Sequence, residues 1–350
     1  MSKTVGFNYK QISETLLKCL DTCKKDICIF IHKNADGDCL GAGLGLGLWL
    51  QNRGFNAKII SSNNFSESYT WMPNSMNLLI YDSIFKNAII EHIEKSNLIF
   101  CVDFSQKCRI DEELVKLIEN KNKTIFVIDH HLEESEFKGF NFINNLATST
   151  CEMLYDVLKN INKKEITEDI AKCIYVGIIT DTGKFMTSNM NYHVHEIAAE
   201  LLKSNNINVA EIQNNIYCNN RLVRMRFLGH VLSKCLRIIP NCKTSYISIS
   251  QEDYSKFYLR PGDTDGIVNY GLSLKGTILT AMFNEKKDGI YISFRSVGDF
   301  AVNEFAKTYF NGGGHKNAAG GFSKLSLKET VNNFVNIIKK LNNIQNGKKI

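Results

Sequence analysis

Four short segments place carboxylates and imidazoles where apolar runs end. The first, IHKNADGDCLG, puts His32, Asp36 and Asp38 directly after ICIFI (27–31). Two aspartates one residue apart in a tight loop can face two different cations. The same letters also fit an Asn-Ala-Asp-Gly turn followed by an aspartate capping a helix. The second, CVDFS, ends an apolar run on Asp103, which could equally cap the next helix. The third, VIDHH, brings Asp129, His130 and His131. Adjacent histidines point in different directions, so one can bind metal while the other reaches a substrate. The fourth, GIITDTGKF, puts Asp181 after the apolar segment IYVGII, with Thr180 and Thr182 as competing caps.

Each segment is weak alone, and the set is stronger than its parts. Gathered on one sheet edge, these groups would repel or remain costly to bury without cations to neutralise them. Mixed oxygen and nitrogen donors without cysteine favour Mn²⁺ or a similar divalent ion over structural zinc. Two other features carry less chemistry. Gly41, Gly43, Gly45 and Gly47 fit neither nucleotide-loop spacing and suggest a helix whose small face packs closely on a sheet. His193 and His195 fall at an expected helix start, outside the strand-edge pattern.

The elements expected to position these groups alternate. Strands are expected at 27–31, 57–61, 98–102 and 124–128, separated by stretches of helical spacing such as EELVKLIEN from Glu112. Strands apolar along their whole length and divided by helices indicate a parallel sheet covered on both faces. Its C-terminal edge is where ligands bind. All four segments are therefore expected just past strand ends. IYVGII also falls in a stretch of helical spacing from Thr167 to about Ile179, after another at Ser149 to Asn160. A helix is expected near Tyr192, then a polar, Asn-rich passage to Asn220. TSYISIS (244–250), TILTAMF (277–283) and GIYISFRS (289–296) suggest strands of a smaller α+β domain. The fold class is thus α/β: a doubly wound, mainly parallel sheet over 1–188, a linker at 189–222, and an α+β domain over 223–345, with the active site expected in the cleft between the domains.

Composition sets outer bounds. The 350 residues, 44% hydrophobic and 22% charged, suit a folded two-domain chain. A net charge of +6 suits an anionic ligand but is too small to argue for long duplexes. The N-terminus has no apolar signal core, and no apolar run approaches the ~18–20 residues that span a bilayer. The 11 cysteines contain no C-x-x-C pair and read as buried free thiols in a reducing cytoplasm.

In family order, HKNADGD, CVDFS, VIDHH and GIITDTGKF resemble the four motifs of the DHH phosphoesterase superfamily. GGGHKNAAGG and FRS (294–296) resemble the associated DHHA1 domain. Within the superfamily, ATSTCEMLYD, DTDGIVNYGLSLKG and the length are similar to the branch of oligoribonucleases and pAp (3′-phosphoadenosine 5′-phosphate) phosphatases. Ala35, Cys39 and Ala42 stand where the first motif often carries Pro, Ala and Ser. The resemblance implies one metal at His32, Asp36 and Asp103 and a second at Asp38, Asp103, His130 and Asp181, with Asp103 bridging. It further implies a shared hydroxide attacking phosphorus, His131 contacting phosphate or protonating the leaving oxygen, and Asp129 orienting a histidine. Gly312, Gly313, Gly314, His315 and Arg295 would hold substrate. The implied partners are short oligoribonucleotides, pAp or pApA, with no long duplex or membrane, and dimers are common among such relatives. Cleavage of cyclic-di-AMP and pApA is the alternative activity. A family pyrophosphatase lacks its Ser-Arg-Lys-Lys motif here, a processive RecJ-like exonuclease would need a further nucleic-acid-binding domain, and a non-catalytic sensor is opposed by the complete ligand set.

Overall fold

The structure, a computed structural model, describes residues 8–119, 122–186, 190–260 and 262–347. It divides into two compact units, Met1–Asn219 and Asn220–Ile350.

The first unit holds a six-stranded sheet of β1 (Asp26–Ile31), β2 (Asn56–Ser61), β3 (Leu79–Ile80), β4 (Leu98–Val102), β5 (Thr124–Asp129) and β6 (Phe140–Ile143). Its order is β3-β2-β1-β4-β5-β6, and every pairing is parallel. The order reverses between β1 and β4, which is the switch point where such sheets leave a crevice at their C-terminal edge. Helices α1 (Tyr9–Thr22), α2 (Gly37–Asn52), α3 (Lys86–Lys95), α4 (Glu112–Ile118), α5 (Thr150–Asn162), α6 (Glu168–Asp181), α7 (Tyr192–Asn205) and α8 (Val209–Gln213) cover it.

Side-chain alternation along the strands explains why both faces are apolar. Ile27, Ile29 and Ile31 enter one core with residues of α1, α2, α5, α6 and α7, whereas Cys28 and Phe30 enter a second core with Ile89, Ile93, Leu114 and Ile118. Burial pushes the Cys28 thiol up to about 12, and no cysteine is in a disulfide.

Two expectations need correction. Asp181 does not end a strand: IYVGII lies inside α6, and Asp181 is that helix's last residue. A short, fully buried apolar run looks alike as helix or strand, and here the helical spacing from Thr167 decides. Within the linker expected at 189–222, the helix anticipated near Tyr192 is present as α7, and the Asn-rich passage after it is helical from Val209 through Cys218. Val194, Ile197, Leu201 and Ile212 bury in the first unit's core, while Asn191 and Asn208 cap helices rather than loosen the chain.

The glycines of α2 serve packing on two sides. A Cβ on Gly43 would meet Ile31 Cγ2 of the sheet at 2.5 Å, and one on Gly41 would meet the Cys173 carbonyl of α6 at 2.4 Å. Helix α2 is thus pressed against a helix as well as the sheet.

The second unit opens with α9 (Leu222–His230) and holds a mixed sheet of β7 (Leu236–Ile239), β8 (Thr244–Ile249), β9 (Leu279–Lys286), β10 (Gly289–Ser296), β11 (Gly313–His315) and β12 (Ala318–Ser323). Its order is β11-β12-β10-β9-β8-β7, with only β8 and β9 parallel. Helices α10 (Gln251–Lys256), α11 (Val268–Leu272), α12 (Val302–Tyr309) and α13 (Leu327–Gly347) complete it.

Candidate metal centre

The C-terminal ends of β1, β4 and β5 deliver His32, Asp103 and the Asp129-His130-His131 run to one edge. Asp103 takes a left-handed backbone, φ +64°, while its N–H donates to the Ile128 carbonyl at 2.9 Å. That conformation turns its side chain out of the strand direction, and such strain gathers at functional sites. Helix α2 carries Asp38 in its first turn, and α6 brings Asp181 from the opposite direction.

The donor atoms converge at distances too long for good hydrogen bonds. His130 Nε2 lies 3.8 Å from Asp38 Oδ2, 3.6 Å from Asp103 Oδ1 and 3.5 Å from Asp181 Oδ2. His32 Nε2 lies 3.4 Å from Asp103 Oδ2, buried and without a hydrogen-bond partner. Its Nδ1 is 2.9 Å from the Lys33 carbonyl. A carbonyl only accepts, so Nδ1 carries a proton and Nε2 is the ring nitrogen left to face the carboxylate. A buried nitrogen and a carboxylate oxygen this close, with no hydrogen bond between them, leave room for a cation to join both. The donor set therefore fits divalent metal.

The electrostatics agree. Burial raises the Asp38 carboxyl well above its ordinary range, and Asp103, Asp181 and Asp36 raise it further. Asp181 is pushed up to about 6, by burial first, with His130 opposing. Burial would raise Asp103 too, but His32, His131 and His130 surround it and hold it well below the usual range. One carboxylate is thus held ionised at the centre while two others resist ionising together.

Asp36 sits differently from the other expected ligands. Its Oδ1 accepts from the N–H groups of Asp38 and Cys39, capping α2. Among the described residues it joins no group of three convergent donors, although its charge reaches Asp38 and Asp181. His131 Nδ1 bonds buried Asp129 Oδ1 at 2.6 Å. Burial lowers the His131 pKa, but the Asp129 bond together with the charges of Asp103 and Asp129 outweighs it, and the ring is raised to about 9. The side chains of His131 and Asp181 keep 23% and 29% exposure, so they lie on the open side of an otherwise buried cluster.

The support from α5 was not anticipated. Thr150 and Cys151 donate their backbone N–H groups to the two oxygens of Asp38, at 2.6 and 2.9 Å, and Thr150 Oγ1 donates to Asp103 Oδ1 at 2.7 Å. The S-x-x-E spacing of Ser149 and Glu152 marks the helix start in sequence. Nothing local says which carboxylate the helix will meet 112 residues away. Gly177 of α6 completes the seat, since a Cβ there would meet Cys151 Sγ at 2.1 Å and Asp38 Oδ1 at 2.7 Å.

Comparison with known proteins gives the family. The model of the DHH family N-terminal domain matches residues 26–178, and that of the DHHA1 domain matches 243–344. The chain belongs to the DHH family. A bifunctional oligoribonuclease and PAP phosphatase NrnA of Mycoplasma genitalium is 29% identical over 88% of this chain and 92% of its own length. A 3′,5′-cyclic-nucleotide phosphodiesterase of Helicobacter pylori is 23% identical over 81% of this chain and 96% of its own. The crystal structure of an exopolyphosphatase-related protein from Bacteroides fragilis superposes with a TM-score of 0.89 at 30% identity, covering 98% of this chain and 99% of that one.

In the DHHA1 domain, Arg295 is a half-buried residue of β10, pairs in register with Ala318, and donates through Nη1 to the Phe294 carbonyl. The three glycines divide their duties. A Cβ on Gly312 would strike the Gly320 carbonyl at 1.9 Å, so β12 itself demands that glycine; Gly314 has φ +131°; Gly313 opens onto free space. His315 ends β11. Outside the DHH motifs, His193 Nε2 bonds Asp156 Oδ2 at 2.8 Å and His195 stacks on Phe185. No described helix is long and apolar enough to cross a membrane.

Proposed function

We propose that this DHH family member is a metal-dependent phosphoesterase that hydrolyses oligoribonucleotides of about two to five nucleotides and pAp, acting in the cytoplasm. The observation that carries the reading is the ring of Asp38, Asp103 and Asp181 oxygens 3.5–3.8 Å from His130 Nε2. His32, Asp36 and Asp103 would hold one divalent ion and Asp38, Asp103, His130 and Asp181 a second, with Mn²⁺ favoured by the oxygen–nitrogen donors. Bound there, the pair would supply an activated water and neutralise charge building on the phosphoryl oxygens. His131, protonated at neutral pH and exposed on the open side, binds a phosphate oxygen or gives its proton to the leaving group, and Asp129 keeps the ring turned. Arg295, His315 and the Gly312–Gly314 backbone bind a second phosphate or a base, which gives the preference for short substrates. The NrnA name of the Mycoplasma relative supports the substrate class.

A second reading, cleavage of cyclic or linear dinucleotides such as cyclic-di-AMP and pApA, is favoured by the name of the Helicobacter relative. Both are tested by incubating the protein with Mn²⁺ and pAp, pApA, cyclic-di-AMP, pyrophosphate and RNAs from 2-mers to 24-mers. The first reading expects kcat/KM to be highest on pAp and the shortest RNAs. A clear preference for the cyclic dinucleotide would favour the second, and no hydrolysis of any nucleotide would sink both.

A further inference from the structure

The two halves of the centre are held by different parts of the chain. On the His130 side, four contacts come from residues 147–151: the Ala147 carbonyl faces His130 Nδ1 at 3.4 Å, Thr150 and Cys151 donate to Asp38, and Thr150 Oγ1 donates to Asp103 Oδ1. Even the shared aspartate is divided. Its Oδ1, bonded by Thr150, is the oxygen near His130, whereas Oδ2 faces His32. His32 is fixed instead by Lys33 and Cys39, and Asp36 by the start of α2.

Glu152 holds that 147–151 strap in place. Its side chain is buried, at 4% exposure, and Oε2 accepts from both Thr148 N, at 2.6 Å, and Thr148 Oγ1, at 2.8 Å. In an ordinary capping box the third helical residue returns to the N-cap N–H. Here the N-cap is Ser149, whose Oγ accepts from Glu152 N at 3.0 Å, and the carboxylate reaches one residue further back. That bond has a geometric consequence. The Thr148 N–H and the Ala147 carbonyl belong to one planar trans peptide, in which they point in opposite directions. Anchoring the N–H on Glu152 therefore aims the carbonyl at His130, and Thr150 and Cys151 just beyond it seat Asp38 and Asp103 Oδ1.

We propose that Glu152 is a positioning residue for the His130 half of the centre. Through the Ala147–Thr148 peptide it sets the His130 ring, and through Ser149–Cys151 it sets Asp38, so its loss weakens one bound cation and spares the other. The inference rests on the two-metal reading above.

The test is Mn²⁺ binding to the full chain, monitored by calorimetry and by the electron paramagnetic resonance of the bound ion. The unmodified protein is expected to take up two Mn²⁺. A single equivalent would remove the two-metal reading itself, before Glu152 is considered. Given two, Glu152→Ala is expected to weaken one equivalent by about 10- to 100-fold, the scale for groups that orient metal ligands, and to leave the other unchanged. Glu152→Gln is expected to restore it, because one amide oxygen can accept both Thr148 bonds. Glu152→Asp keeps charge and helix-start preference but withdraws the carboxylate by one methylene, so it should behave like the alanine variant and decides the matter if that variant does not fold. Two equivalents bound as in the unmodified protein, equal weakening of both, or failure of Gln to rescue would overturn the assignment.

Discussion

His131 Nδ1 and Asp129 Oδ1 lie 2.6 Å apart, and the same Asp129 oxygen also accepts the His131 backbone N–H at 3.1 Å. One buried carboxylate thus fixes both the ring and the backbone of a histidine that opens toward solvent. The Asp129 bond and the charges of Asp103 and Asp129 together overcome burial and raise the ring to about 9, so in the proposed mechanism His131 would carry its proton above neutrality.

Asp129→Asn tests that role. The amide keeps the shape and removes the charge, so the ring should return toward the ordinary value of about 6.5. Because the protonated form exists below the pKa, the alkaline limb of the kcat/KM profile should move to lower pH. At pH 8 the loss should be about 30-fold and at pH 6 small, from the change in protonated fraction. An alkaline limb that stays put would mean that the His131 proton is not used.

Metal dependence carries its own pH signature. Asp181 in the metal-free protein has its pKa raised to about 6, chiefly by burial. A carboxylate raised on folding stabilises the fold below its unfolded value of about 4, and that contribution is lost as pH rises through about 6. Metal needs the ionised form, so it should rescue most where the metal-free protein is weakest. The Tm difference between Mn²⁺-loaded and EDTA-treated protein should widen from pH 5 to pH 7, the added stability approaching about 2.7 kcal/mol for each ion at 100-fold saturation. EDTA should abolish hydrolysis and Mn²⁺ restore it. Substantial turnover in metal-free buffer, or a gap that narrows over this range, contradicts the assignment.

Asp103 separates chemistry from folding. Its left-handed backbone suits asparagine almost as well as aspartate, so Asp103→Asn should fold. It removes the ionised oxygens that face His32 and His130, and kcat should fall by about 10³-fold or more. Cys101, two residues earlier and buried in the second core, is the control. Cys101→Ala should cost about 1–2 kcal/mol of stability and leave kcat near normal. An Asp103→Asn enzyme with ordinary kcat would remove the shared-ligand role.

How far this centre was legible in sequence depends on how locally each part is determined. The strand expected at 98–102 coincides with β4, because a parallel strand buried on both faces is apolar throughout and ends where Asp103 interrupts it. Asp181 was legible as a site residue, and the helical spacing from Thr167 to about Ile179 already marked most of α6; only its placement at a strand end failed, since IYVGII is buried on all sides and reads alike as either element. The edge strands β3, β6, β7 and β11 were not anticipated, being two to four residues long with little pattern to read. The Asp38 seat on α5 and the peptide bonded by Glu152 are contacts between distant segments. No local rule encodes them.

The final prediction concerns Arg295, in the DHHA1 domain. Its guanidinium offers a planar fork suited to phosphate, and the metals and Arg295 have separable tasks if the one does chemistry and the other binds a remote group. Arg295→Ala should then weaken pAp and dinucleotides by about 2–3 kcal/mol, the scale for a charge-assisted clamp. That is roughly 30- to 150-fold in kcat/KM. Bis-p-nitrophenyl phosphate has a scissile ester but no second anchoring phosphate, so its hydrolysis should fall far less. Because Nη1 also bonds the Phe294 carbonyl, the variant's Tm must be measured beside its kinetics. Metal content should be unchanged, since Arg295 is outside the donor set. The decisive quantity is the ratio of the two losses: a large ratio at constant Tm assigns Arg295 to substrate. Equal losses on both substrates would place Arg295 in the chemical step or in the fold, and length preference would need another source.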